Sequence, residues 1–340
     1  MTQSARISYG IMVVLLVLIG WLHMATLLLT VLFGYFALRL FSFGRSKILG
    51  VLLYVIVVVG IGYGLYFFAS QVYKNNILPD IVDQTIPAVV NFAEKQGIEL
   101  PFTDYADLKT LAVTAVNERL GRIGAYAREA TLQLAMLIIG LVVAVSLFFS
   151  AKWEVEDDPD TVKDSLYATV VRELVVRFEL FYASFARVIG AQIIISILNT
   201  ALTSGFLVWN GYPFAQVIIV LTFLCGLLPI IGNLMSNTLI VAVGFTISPQ
   251  MAFTALVFLV VIHKLEYFLN SKIIGDRIKN PMWLTLIGLV IGEKLMGIPG
   301  MILAPVVLHY LKVEASRNKA HEAAPDAPAP AAPAPKPTHG

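Results

Sequence analysis

The stretch "CGLLPIIGNLMSN", Cys225 to Asn237, sits in the middle of a long apolar run from Val217 to Thr246. It places a proline, two glycines and two asparagines where a bilayer would be deepest. Proline removes a backbone donor and glycine frees the chain to turn. Irregular backbone at membrane depth is tolerated only where protein or a water-filled cavity satisfies it. The stretch therefore reads as the tip of a helical hairpin near the midplane, with Pro229 and Gly232 at the turn.

The rest of the chain supports a membrane setting. It is 58% hydrophobic and 14% charged, with a mean hydropathy of +0.81, whereas soluble domains run nearer 25% charged. Several apolar stretches reach the roughly 20 residues that cross a hydrocarbon core. No short alternating segments of a β-barrel appear. The net charge of +2 is too small to argue for nucleic acid. The single cysteine, Cys225, excludes an internal disulfide and a multi-cysteine metal site. Arg6 precedes an apolar stretch as in a signal peptide. No small-residue cleavage site follows, and the segment reads as a retained helix.

Residues 1–72 read as three spans: Ile7 to Trp21, Ala25 to Phe41 and Ile48 to Ser70, the first two forming a hairpin. Residues 73–130 are polar with periodic apolar positions and read as amphipathic helices outside the bilayer. A fourth span covers 131–151. Residues 152–188 read as an amphipathic helix, on the membrane surface or packed on the protein itself. Residues 189–313 hold a fifth span (Ile189 to Trp209), the broken run Phe214 to Thr246, a sixth span (Met251 to Asn270) and a second broken run, Met282 to Leu311. Residues 314–340, rich in Pro, Ala and charge, read as disordered.

Basic residues concentrate in short cytoplasmic loops. Arg39, Arg45 and Lys47 put the second loop inside, so 73–130 falls outside and 152–188 inside. If both broken runs crossed the membrane, Lys272, Arg277 and Lys279 would lie outside. If each enters and leaves on one side, every basic cluster is cytoplasmic. Arms of about 12–18 residues suit that path. The breaks, "LLPIIG" (Leu227 to Gly232) and "LMGIPG" (Leu295 to Gly300), resemble each other. The expected fold is all-α and polytopic, with six full spans and two re-entrant hairpins in an inverted repeat. The alternative is eight spans, two of them kinked.

Ionisable residues inside a membrane are functional hypotheses by default. Glu266 shares a helical face with His263 and Asn270 and is the leading proton or cation site. The plainer reading is an interfacial carboxylate paired with Lys264 or Lys272. Glu293 precedes the second tip, where it pairs with Lys294 or contributes to coupling. Asn233, Ser236 and Asn237 follow the first tip, where free helix N–H groups suit an anionic or hydroxylated ligand. Interhelical hydrogen bonding explains them equally well. Gln192 and Asn199 share one face of the fifth span. Pro229, Gly232, Gly297, Pro299 and Gly300 read as structural tips. No Walker motif is present, so ATP is not the energy source. The five histidines are scattered without metal-ligand spacing. No cofactor, metal site or catalytic site emerges.

The C-terminal half resembles the autoinducer-2 exporter (AI-2E, PerM-like) family. The resemblance rests on Gln192, "NGYPFA" (Asn210 to Ala215), "LLPIIG", Glu266 with Lys272 and Gly275, and "GEKLMGIPGMILAPV" (Gly292 to Val306). It covers roughly Ser8 to Val313. It implies a secondary transporter of the bacterial inner membrane. It also implies export of a small signalling molecule or sodium–proton exchange, and homo-oligomers, pentamers among them. With it, the chain reads as an exporter of a small polar molecule such as autoinducer-2, working by alternating access and coupled to protons or sodium, both termini cytoplasmic. A passive channel would show a polar stripe along whole spans. A non-transporting scaffold would not need twin broken hairpins.

Overall fold

The computed structural model describes residues 3–42, 46–97, 114, 127–150, 165–229, 231–274 and 281–322. These residues form eleven α-helices and no strand. In chain order they are α1 (Gln3–Trp21), α2 (Ala25–Phe41), α3 (Lys47–Lys74), α4 (Ile77–Lys95), α5 (Ala127–Phe149), α6 (Leu166–Trp209), α7 (Ala215–Gly226), α8 (Ile231–Ile247), α9 (Pro249–Ile274), α10 (Met282–Met296) and α11 (Ile298–Glu322). Six of these helices (α1, α3, α5, α6, α9 and α11) hold stretches long and apolar enough to cross a membrane. The chain is a polytopic helical membrane protein.

The set of long helices differs in detail from the sequence expectation. α2 has 17 residues and falls among the shorter apolar helices. α11 has 25 residues, longer than an arm of about 12–18, because the helix runs past the apolar run through Glu314 to Glu322. The helical structure therefore enters the stretch read as a disordered tail. The remainder of that tail lies outside the described residues, as do Arg45, 98–113, 115–126, 152–164 and the basic loop from 275 to 280.

The surface helix within 152–188 and the fifth span are not separate elements. They are one helix, α6, of 44 residues, about 66 Å long at 1.5 Å per residue. Ser165 caps it, its Oγ accepting from the Ala168 N–H at 3.1 Å. Between Arg187 and Ile189, where polar gives way to apolar, no proline, glycine or cap interrupts it. A change of solvent alone does not end a helix.

α6 is the axis on which the two broken runs are mounted, and each uses its own stretch. The α10–α11 hairpin packs through Leu303, Val306 and Tyr310 onto Phe181, Phe185 and Ile189 of α6, with Met12 and Leu29 from α1 and α2. The α7–α8 hairpin packs through Ile218, Ile240 and Val243 onto Leu207 of α6 and Leu259 of α9. A third cluster, Leu38, Tyr54, Ala144 and Phe148, joins α2, α3 and α5. The two tips thus belong to separate neighbourhoods.

The helix ends sort into two groups. Near one end, Tyr9 of α1 donates to Glu314 of α11 at 2.5 Å, and the buried Arg177 of α6 bonds Glu173 at 2.6 Å and covers the Tyr9 ring. Lys47 at the start of α3 donates to the Phe149 carbonyl at the end of α5. At the other end, Ile81 of α4 is buried with Tyr212, and Phe92 of α4 meets Phe245 of α8 at 5.2 Å. α4 thus shares an end with the Asn210–Pro213 turn.

Candidate functional site

The break at "LLPIIG" separates α7 from α8. Helix ends leave carbonyls and N–H groups without intrahelical partners. Here α6 supplies them. Gln192 Nε2 donates to the Gly226 carbonyl at 2.6 Å, and Ser196 Oγ donates to the Phe223 carbonyl at 2.9 Å. The two arms meet backbone to backbone, since a β-carbon on Gly232 would overlap the Cys225 carbonyl.

Asn233 stands in the first turn of α8, directly after the tip. Its Nδ2 donates to both carboxylate oxygens of Glu266 on α9, each at 2.8 Å. Asn199 Nδ2 on α6 donates to Glu266 Oε2 at 3.3 Å. One half-buried carboxylate is thus gripped by amides from two other helices. Hydrogen bonds to a charged group contribute about 1.5–3 kcal/mol each. Two such donors hold the group in place.

The chain offers this carboxylate no neighbouring cation from the hairpin. Between Val188 and Ile262 there is no Asp, Glu, Lys or Arg. The amides are therefore the only strong donors that α6 from Val188 onward, α7 and α8 can bring. The other amide atom of Asn199, Oδ1, is buried without a hydrogen-bond partner.

One turn away, Asn237 Nδ2 lies 3.4 Å from His263 Nδ1. Both residues line a largely apolar groove of about 830 Å³ between α4, α8 and α9. The groove lies beside the Glu266 site.

The second break is built differently. Gly297 has φ 64° and ψ −145°, a conformation open mainly to glycine. Pro299 follows in the first turn of α11, where its missing N–H is harmless. Gly292 and Gly300 touch backbone to backbone, and a β-carbon on either would overlap the other's carbonyl. Glu293 and Lys294 are exposed and 3.5 Å apart. α10 packs chiefly on α11 and α1, so Glu293 is not brought to the Glu266 site.

A family model described as AI-2E family transporter matches residues 5–316. The chain belongs to the AI-2E family. Two Bacillus subtilis (strain 168) proteins resemble it. "Putative transport protein YdbI" is 23% identical over 228 residues, 66% of this chain and 59% of that one. "Putative transport protein YueF" is 33% identical over 125 residues, 36% of this chain and 33% of that one. The matched stretch spans less than two thirds of either relative. As a member of the AI-2E family, the protein is a membrane protein of a transporter family.

Of the residues singled out from the sequence, Asn199, Asn233 and Glu266 meet directly, Gln192 holds the tip beside them, and Asn237 adjoins through His263. Asn270 continues the α9 face, its side chain lying outside the described residues. Ser196 was missed, although it lies four residues after Gln192 and three before Asn199, on the face those two define.

Proposed function

We propose that this AI-2E family protein is a secondary transporter in which Glu266 is the coupling-ion site. The observation that carries the reading is the Glu266 carboxylate held by Asn199 and Asn233 at a broken helical hairpin that carries no charged side chain of its own. A carboxylate held by neutral donors can accept a proton or a sodium ion and return to the charged state without unfolding its surroundings. Discontinuous helices place such sites where backbone and side-chain oxygens converge. The cargo is a small polar molecule of the autoinducer-2 kind, exported by alternating access. The protein sits in the inner membrane as a homo-oligomer with both termini cytoplasmic, and both broken runs are re-entrant. The basic clusters support that orientation.

The test is flux of autoinducer-2 in proteoliposomes with proton and sodium gradients imposed separately. Acceleration by one of the gradients is expected. Flux that follows only the autoinducer-2 gradient would make the protein a passive pathway.

A further inference from the structure

We infer that the first hairpin is divided between two bodies, and that Asn199 is the positioning residue that joins them according to the state of Glu266. The inference rests on the reading of Glu266 as the ion site. The inner arm, α7, is fastened to α6: Gln192 and Ser196 hold the carbonyls of Gly226 and Phe223 at 2.6 and 2.9 Å. A β-carbon on Gly226 would lie 2.5 Å from Ser196 Oγ, so the glycine packs directly on the Ser196 side chain. The outer arm, α8, is fastened to α9: Asn233 holds both oxygens of Glu266, and Asn237 reaches His263. Between the arms lies Pro229, which has no N–H of its own and whose carbonyl accepts from the Ile231 N–H at 2.7 Å. No side chain separates them at Gly232.

One polar bond described in the structure crosses from α6–α7 to α8–α9. It is Asn199 Nδ2 to Glu266 Oε2, at 3.3 Å longer than the Gln192, Ser196 and Asn233 bonds. Asn199 is 8% exposed and its Oδ1 is buried without a partner. An ionised Glu266 can only accept, so it takes the Asn199 N–H. A protonated Glu266 carries an O–H, for which the unpartnered Oδ1 is the fitting acceptor once the amide turns over. A sodium ion on Glu266 would likewise draw Oδ1 toward it. Asn199 therefore presents a different atom for each state, and the join between the bodies is remade each time. The groups facing this exchange are few. α6 from Ile189 to Trp209 and α8 bring no titratable side chain, α7 brings only Cys225, and α9 carries His263, Lys264, Tyr267 and Lys272 besides Glu266.

The experiment places spin-label pairs on the full-length protein in a Cys225→Ser background, at the exposed positions Leu202 on α6, Gln216 on α7, Leu234 on α8 and Val260 on α9. Distances are read between pH 5 and 8, with and without sodium. The expected result is that the Leu202–Val260 and Gln216–Leu234 distances shift by roughly 2 Å or more. The Leu202–Gln216 and Leu234–Val260 distances stay fixed. Asn199→Leu should abolish the pH and sodium response of the shift, and Asn199→Gln should restore part of it. Equal shifts within and between the bodies, or no shift, would overturn the division. A wild-type response in Asn199→Leu would overturn the role of Asn199. A flux in Glu266→Gln that keeps its wild-type ion dependence would instead remove the ion site, and the inference with it.

Discussion

Gly232 and Cys225 are in backbone contact, with no room for a β-carbon between the glycine and the Cys225 carbonyl. That contact answers why an apolar run should carry its least helical residues at its centre. The break lets two short helices lie against each other at their ends, and it delivers Asn233 to Glu266 one residue later. Gly232→Val and Gly300→Val should each insert but lose flux, because an overpacked contact costs about 1–3 kcal/mol and here the obstacle is backbone. The comparison needs a glycine that touches nothing. Gly140, within an uninterrupted span, looks mild in sequence but is not, since its β-carbon would lie 2.7 Å from Thr30 Cβ. Gly62 on α3 is open, and Gly62→Val should keep expression and flux. Normal transport by both tip variants would make the breaks ordinary kinks.

Asn233→Leu removes two hydrogen bonds to a carboxylate, whereas Asn237→Leu removes one long contact at an exposed edge. At about 1.5–3 kcal/mol for a bond to a charged group, the first should lower flux by roughly 10–100-fold. The second should stay within about threefold, a 3.4 Å contact being near the limit of a hydrogen bond. Initial rates at matched protein density decide. Equal effects would detach Asn233 from the ion site.

Glu293→Gln should leave transport within about twofold. Its carboxylate is exposed and its described ion pair is with Lys294, itself 77% exposed, and such pairs contribute about 0–1 kcal/mol. A large loss of flux in Glu293→Gln, with normal expression, would return the second tip to the site.

The loop from Ser271 to Pro281 should be cytoplasmic. Single cysteines there, in a Cys225→Ser background, should resist an impermeant thiol reagent in intact cells and react after permeabilisation. Labelling in intact cells would favour two kinked, crossing helices.

How far sequence could reach depended on the distance over which a signal acts. Local signals were readable: the helical period put Gln192 with Asn199, and proline with glycine marked both tips. The fusion that made α6 was missed because an amphipathic surface helix and a span share the same backbone, and only a breaker would have separated them. The meeting of Asn233 with Glu266 links residues 33 apart through a hairpin whose packing no local pattern encodes. Its shadow was still present, since the charge-free stretch from Val188 to Ile262 has only neutral donors to offer the carboxylate. The separate seating of the two tips had no shadow at all, because similar motifs say nothing about which part of α6 each will cover.

The central claim is that the Glu266 carboxylate binds the coupling ion. Infrared difference spectroscopy reads that group directly, without knowledge of the cargo. Purified protein in lipid is stepped across pH, and then given sodium at fixed pH. The account predicts a carboxylate band that is lost to a protonated-carboxyl band, or displaced by sodium, in the wild type and that is missing from Glu266→Gln. Identical difference spectra in the two proteins would contradict it.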